Sequence, residues 1–543
     1  MEKNSTETPA EREPSMSTAT APTTVVRPAE PSLHEALRLA LLFAAIKLAL
    51  HIATNLWQAH LGWGYFRDEM YYIICGRHLA WGYVDHGPIV AVQSRLSETI
   101  FGRSLTGIRM LAALAGAARV FLTGLLAWSL GGRRPAQALA MICVLVAPQY
   151  LGVDSFLSMN SFESMFWLPC LLALILILRG GNERWWLLFG LSAGIGLLNK
   201  PSMAFFLIAL LGALLLTPQR RLLTSRWAFL GVALLILIAL PNLFWQIHNH
   251  WPTLEFLHNG RVHHKNVELG PIDFLLTQIK NLHPVGLLVW GAGLVWLLRS
   301  RNYRWLGLMF VFFLAGMMAL HAKDYYVLPV YPILFAAGGI AWESYFARSS
   351  RVLQNRVFAF PLLEGTLILM GLALMPLAIP VLRPEPWIVY ARATHLYQVT
   401  ASEHHATGPL PQFYADRFGW QEYTDQVESI YKSLSPQEQA VAVIYGDDYG
   451  LSSAINFLGH GLPPAIGGHN NYFLWGPQGK TGEVFILLGS DGRGLTARWN
   501  SVTVVGEMNN PYAMPYERRK IYLCRGLKMP PLPQVWPKMK HYI

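Results

Sequence analysis

Two adjacent acids, Asp68 and Glu69, follow the first strongly apolar segment of the chain, and a third acid, Asp85, follows shortly after them. A carboxylate at the boundary between hydrocarbon and water costs free energy unless it has partners or a chemical task. Such an acid can act as a general base, because a low dielectric tunes its proton affinity. The alternative is a solvated loop charge without chemistry, and the surrounding elements decide between the two.

The composition is that of a polytopic membrane protein. Of 543 residues, 53% are hydrophobic and 14% are charged, which is too apolar for a soluble chain of this length. Four cysteines are too few for a disulfide framework. The net charge is +11. In a membrane protein, Lys and Arg in the loops set the orientation in the bilayer. We therefore expect the chain to interact with a lipid bilayer and not with nucleic acid.

About eleven apolar stretches approach the length that crosses ~30 Å of hydrocarbon. Before them, residues 1–33 are rich in Ser, Thr, Pro, Ala and Glu and predict a disordered cytoplasmic tail. The apolar stretches occupy residues 37–57, 105–130, 135–151, 162–178, 185–198, 203–216, 227–245, 284–298, 305–320, 326–345 and 358–381.

Arginines cluster on alternate connections between these stretches, which is the pattern of one cytoplasmic face. The clusters lie at residues 131–134, 179–184, 220–226, 299–304 and 348–356. This sidedness places the acidic loop, the long loop 248–282 and all residues after 381 on the outer face.

Five motifs together resemble glycosyltransferase family 39, in particular its bacterial branch of protein O-mannosyltransferase-like enzymes, lipid A aminoarabinose transferases and core galacturonosyltransferases. The motifs are RDEMYY at 67–72, YVDHGP at 83–88, GIGLLNKP at 194–201, LPN at 240–242 with Trp245, and KDYYVLPVYP at 323–332.

The resemblance implies a GT-C fold in a bacterial inner (plasma) membrane, with the active site on the extracytoplasmic side. It implies a catalytic acid in the first outer loop and a polyprenyl-phosphate-linked sugar as donor. The acceptor is an envelope lipid, glycan or protein. A secondary transporter or a non-catalytic envelope scaffold is the alternative function, although the acids cluster at one face and no internal repeat is visible.

Transfer of a sugar from a lipid phosphate needs a base near the acceptor hydroxyl and cations near the departing phosphate. Asp68 is the first candidate for the base and Glu69 the second. Because consecutive residues do not share a helix face, one of the two is free to bind a backbone N–H instead. Asp154 is a further acid on the same side, and a site role and a helix-capping role are equally open for it.

The candidates for binding the phosphate are cationic side chains near the outer face. Lys323 is the strongest, whereas an anchoring role at a span end is favoured for Lys200. In the aminoarabinose branch, a cation follows the acid pair and a Lys precedes Pro-Pro; here Tyr71 and His86 hold those positions. The full set is Lys323, Lys200, protonated His86, Arg261, Lys265 and, by its position, Tyr71.

Asp85 with His263 or His264 would suit a divalent metal, Zn or Mg/Mn. Hydrogen-bonding loop histidines are the favoured alternative, because no tight ligand spacing is present. No other cofactor is expected.

The sequence predicts three domains: the tail 1–33, a transmembrane domain 34–383 and a small extracytoplasmic α/β domain 384–543. Within the last, strands are predicted at 440–445, 483–488, 501–505 and 520–524, and a helix at 452–458. The turn 445–450 either offers amides to an anion or is an ordinary connection. The segment 467–477 either faces carbohydrate or docks this domain onto the bundle.

Overall fold

The computed structural model describes residues 32–263, 267–348, 353–395, 406 and 408–543. The first part is helical, with 3-10 helices at Pro218–Thr224 and Asp324–Val330. Its α-helices are α1 Leu33–His60, α2 Arg67–Arg77, α3 Pro88–Phe101, α4 Leu105–Ser129, α5 Arg134–Val146, α6 Pro148–Val153, α7 Met159–Leu178, α8 Trp185–Asn199, α9 Ser202–Leu215, α10 Arg226–His248, α11 Pro252–Val262, α12 Pro271–Asn281, α13 Gly286–Arg299, α14 Arg304–Ala319, α15 Tyr331–Arg348, α16 Leu353–Ala378 and α17 Pro384–Ala393.

Among the described residues, 6 helical segments are long and apolar enough to cross a membrane: α1, α4, α7, α10, α16 and the segment formed by Asp324–Val330 with α15. Two sharply bent pairs, α9 with Pro218–Thr224 and α12 with α13, raise this number to 8. The shorter apolar helices α5, α8 and α14 complete the set. Each predicted apolar stretch is therefore helical, and the chain is a multi-pass membrane protein. By length and composition, however, fewer helices than about eleven qualify as spans.

Local sequence explains where several helices begin. Ser32 caps α1 by accepting from the Glu35 amide at 3.3 Å, and Ser104 caps α4 by accepting from the Gly107 amide at 3.1 Å. Pro88 occupies the first turn of α3, where its missing N–H costs nothing.

Two glycines let the loop between α2 and α3 approach the membrane helices. A Cβ at Gly87 would overlap the Leu198 carbonyl oxygen at the end of α8, and a Cβ at Gly82 would overlap the Trp245 ring on α10. The glycine of the His-Gly-Pro motif is thus required by close backbone approach. It brings the loop that carries Asp85 against the end of α8.

The C-terminal part is a four-stranded sheet of order β1-β2-β4-β3 with short helices around it. β1 and β2 are parallel, and the other pairs are antiparallel. The strands are β1 Ala442–Gly446, β2 Val484–Leu488, β3 Trp499–Glu507 and β4 Lys520–Leu527. The helices are α18 Gln412–Ala415, α19 Trp420–Ser433, α20 Pro436–Val441, α21 Tyr449–Leu458, α22 Asn471–Trp475, α23 Leu495–Arg498 and α24 Leu532–Val535, with 3-10 helices at Pro515–Glu517 and Trp536–Met539.

The predicted strands and the predicted helix at 452–458 are confirmed, because each coincides with one of these elements. The described residues belong to one compact unit. The domain boundary at 383/384 stays a prediction. Residues 408–543, which contain the sheet and its surrounding helices, are called the C-terminal unit.

Candidate active site

Asp68 lies in the first turn of α2 and is partly exposed. Its Oδ1 accepts a hydrogen bond of 2.8 Å from the hydroxyl of Tyr449, the first residue of α21. The charge of Asp68 also acts on Tyr72 and His86. The candidate base therefore faces an aromatic surface to which both the first loop and the C-terminal unit contribute.

Glu69 is fully buried and has its oxygens occupied. Arg109 on α4 donates to both carboxylate oxygens at 2.8 Å, and the amides of Phe66 and Leu157 donate to them at 2.8 Å. Arg109 is fully buried too. This arrangement caps α2 and fastens it to the bundle, so we propose a structural role for Glu69.

Asp154, at the end of α6, is likewise fully buried. Nη1 of Arg119 donates to its oxygens at 2.9 and 2.8 Å, and Lys47 on α1 lies 3.3 Å away. The remaining Arg119 donors bind Ser164 and the Ser161 carbonyl. Asp154 thus joins α1, α4 and α7, and we propose that it stabilises the bundle.

Asp85 is partly exposed but hydrogen-bonded through both oxygens. The hydroxyl of Tyr71 donates to Oδ1 at 2.9 Å, and the Asn470 amide donates to Oδ2 at 3.0 Å. Tyr71 is buried, and burial raises the pKa of its phenol well above the ordinary range, with the Asp85 charge acting in the same direction. Tyr71 therefore orients Asp85 as a neutral donor.

His86 is buried between aromatic rings and stacks on Tyr83 with a centroid distance of 4.5 Å. Its Nδ1 lies 2.8 Å from the Gly87 carbonyl oxygen, to which it must donate, and burial lowers the pKa of the imidazole. The neutral ring is a poor phosphate ligand. The expectation of a cationic His86 is therefore not supported by its surroundings.

Lys200 is 6% exposed and is surrounded by polar and aromatic side chains. Its ammonium is 3.1 Å from Oε2 of Glu163 and 2.8 Å from Oδ1 of Asn160, and it lies 4.0 Å from the centre of the Tyr326 ring. The interpretation of Lys200 as a snorkelling anchor is wrong, because such an anchor extends into the interface. A polar and aromatic environment holds it instead.

Lys323 is partly exposed, and its charge acts on Lys200. The segment that carries it is fixed by α12, where Asn281 donates to the Asp324 carboxylate at 2.8 Å and Gln278 donates to the Asp324 carbonyl at 2.9 Å. The Lys200 ammonium also lies 5.2 Å from the centre of the Tyr325 ring, so the structure brings Lys200 against the segment that carries Lys323.

The other residues predicted to bind phosphate or metal lie away from this site or outside the described residues. Arg261 and His263 are exposed at the end of α11, while His264 and Lys265 lie outside the described residues. Within the described part of the chain, no three His, Cys, Asp or Glu side chains form a group that could hold a metal ion. We propose a hydrogen-bonding role for Asp85 instead.

The C-terminal unit docks directly onto the first loop. Asn471 accepts from the Val84 amide at 2.7 Å, and Trp475 stacks on His78 with centroids 4.7 Å apart. The docking alternative for the segment 467–477 is therefore confirmed. At the turn 445–450, Asp448 accepts from the Gly450 and Leu451 amides at 2.6 and 3.1 Å, so an ordinary capped connection occupies these donors.

Sequence reasoning missed several partners that build this site, namely Arg109, Arg119, Glu163 and Tyr449. A signal existed for the arginines, because a charged residue inside an apolar span is costly and nearly always paired. No local signal marks Tyr449.

The helices, the acidic first loop and the C-terminal α/β unit define a GT-C membrane fold. Residues 85–245 match the family described as dolichyl-phosphate-mannose-protein mannosyltransferase. A crystal structure of ArnT from Cupriavidus metallidurans bound to undecaprenyl phosphate aligns with a TM-score of 0.58 at 15% identity, covering 89% of this chain and 97% of ArnT. The apo form of ArnT aligns with a TM-score of 0.55 at 15% identity, covering 90% of this chain and 98% of ArnT.

An oligosaccharyltransferase from Archaeoglobus fulgidus aligns with a TM-score of 0.48 at 14% identity, covering 80% of this chain and 64% of the other. No curated protein sequence matches the chain. The predicted resemblance to glycosyltransferase family 39 and the predicted GT-C fold are confirmed.

Proposed function

We propose that this protein transfers a sugar from a polyprenyl-phosphate-linked donor to an acceptor at the extracytoplasmic face of a bacterial inner membrane. The observation that carries the proposal is the contrast among the candidate bases. Glu69 and Asp154 are buried and paired with arginines, whereas Asp68 is partly exposed and oriented by Tyr449. The matched family and the ArnT structure with undecaprenyl phosphate support a lipid-phosphate donor.

In this reaction Asp68 takes the proton of the acceptor hydroxyl while the acceptor oxygen attacks the anomeric carbon. The bond between that carbon and the phosphate oxygen breaks, and polyprenyl phosphate leaves with the electron pair. A base at hydrogen-bonding distance contributes roughly 10²- to 10⁴-fold to such a step.

The charge that develops on the departing phosphate needs cations. Lys323 and Lys200 supply them in this proposal, since their charges act on each other and Tyr325 and Tyr326 lie against Lys200. Glu163 neutralises part of this charge and holds the Lys200 ammonium in place. The acceptor is a lipid, glycan or protein of the envelope.

The test is transfer by the purified protein from a panel of undecaprenyl-phosphate-linked sugars: mannose, glucose, galactose, galacturonic acid and aminoarabinose. With the donor that turns over, Asp68→Asn should lower the rate by about 10² or more while the fold is retained. Asp273→Asn is the matched control, because Asp273 is also an acid in the first turn of an outer helix but is exposed. Activity of Asp68→Asn within a few-fold of the wild type would refute Asp68 as the base.

A further inference from the structure

Tyr449 belongs to the C-terminal unit and reaches the candidate base across 381 residues of sequence, donating its hydroxyl to Asp68 at 2.8 Å. We propose that Tyr449 is a positioning residue that fixes the orientation of the Asp68 carboxylate and keeps it ionised, so that the C-terminal unit completes the active site. This inference rests on the proposed function.

The ring of Tyr449 has two close neighbours on α2. The guanidinium of Arg67 lies 4.6 Å from its centre, and the Tyr71 ring lies 4.5 Å away. Its backbone amide donates to Nδ1 of His469 at 3.2 Å. These contacts hold the ring and the backbone of Tyr449 in the position from which its hydroxyl donates to Asp68.

Arg67 immediately precedes Asp68 and is fastened to the same unit. Its side chain pairs with Asp448 at 3.1 Å and Glu517 at 3.4 Å, and it donates to the Tyr516 hydroxyl at 3.3 Å. Its backbone amide donates to the Asp416 carbonyl at 3.0 Å. The first turn of α2 is thus attached to the C-terminal unit at the residue next to the base.

A donated hydrogen bond favours the ionised form of a carboxylate, and only the ionised form accepts a proton from the acceptor. Among the described residues, the charge of Asp68 also acts on Tyr72 on α2 and on His86 in the first loop, and the Arg67 side chain lies against the Tyr449 ring. A Tyr449→Phe substitution leaves all of these in place and keeps the ring contacts with Arg67 and Tyr71. It therefore isolates the hydroxyl.

The experiment measures transfer as a function of pH for Tyr449→Phe, using whichever undecaprenyl-phosphate sugar of the panel the wild type turns over. The expected result is a kcat about ten- to a hundredfold lower, an unchanged KM for the donor, and an acidic limb of the rate profile about half to one pH unit higher. Tyr431→Phe is the matched control, since its hydroxyl donates to the Gln439 carbonyl within the C-terminal unit.

A Tyr449→Phe protein with a rate within twofold of the wild type and an unshifted acidic limb overturns the inference. An equal loss of kcat in Tyr431→Phe also overturns it, because general loosening of the unit would then explain the effect. Asp68→Asn is measured in parallel. If that variant stays active, the proposed base is wrong; if it is inactive while Tyr449→Phe behaves as the wild type, only the role of Tyr449 is wrong.

Discussion

The adjacent acids Asp68 and Glu69 should give opposite phenotypes. Glu69→Gln keeps the side-chain shape but removes the charge that pairs with buried Arg109. The carboxylate accepts from Arg109 twice and from the amides of Phe66 and Leu157, and a carboxamide keeps only one acceptor oxygen. In the Glu69→Gln protein, some of these buried N–H groups are therefore left without an acceptor.

Breaking a buried ion pair by removing one partner costs roughly 3–5 kcal/mol. Arg109 keeps its bonds to Gln58 and to the Gly64 carbonyl at 3.0 and 3.3 Å, so we expect a loss of about 3 kcal/mol, at the low end of that range. Since about 1.4 kcal/mol is tenfold in an equilibrium constant, the folded-to-unfolded ratio should fall by about two orders of magnitude.

The assay is reversible unfolding in mixed detergent micelles, followed by tryptophan fluorescence, with transfer activity measured on the folded fraction. Glu35→Gln serves as control, because it removes an exposed pair with Arg134 and should cost less than about 1 kcal/mol. Asp68→Asn should unfold as the wild type does. A Glu69→Gln protein of unchanged stability that fails to transfer sugar would refute this reasoning and give Glu69 a chemical role.

Further measurements test the donor site, the sidedness and the docking contact. Lys323→Met should lower transfer by about two to three orders of magnitude with the fold intact, whereas Lys200→Met should lower both transfer and stability, because it leaves the buried carboxylate of Glu163 unpaired; equal stability of the two variants would contradict this difference. Single cysteines in the loop 248–282 should react with an impermeant thiol reagent from outside, and labelling only from the cytoplasm would reverse the proposed orientation. Burial and the charge of Asp448 raise the pKa of Glu517 to about 8, so its contribution to stability is present below about pH 4 and lost as the pH rises through 8. In Glu517→Gln, the unfolding midpoint should therefore change less with pH between about pH 6 and 8 than it does in the wild type. An unchanged pH dependence of the midpoint would exclude Glu517 as the titrating group.

The helices and strands could be predicted because their signals are local. An apolar stretch of span length predicts α4 wherever its partners lie, and alternating strand formers bounded by turn residues predict β4. The number of spans is harder to predict, because among the described residues α5, α8 and α14 are apolar but short, and two further pairs of helices are sharply bent.

The candidate site depended on pairings that no local pattern specifies. Glu69 and Arg109 are 40 residues apart, Asp154 and Arg119 are 35 apart, and Lys200 and Glu163 are 37 apart. The sequence places three acids at one face, but only tertiary packing decides which of them is buried against an arginine. That difference separates Asp68 from Glu69 and Asp154.

The docking of the C-terminal unit on α2 has a consequence for the order in which the protein matures. Asp68 leaves the ribosome early, yet its orienting hydroxyl and the anchors of Arg67 are translated more than three hundred residues later. A nascent chain that ends after α17 already contains the membrane helices but lacks these contacts. If the proposed roles of Asp68 and Tyr449 hold, full activity is reached only after the C-terminal unit has folded onto α2.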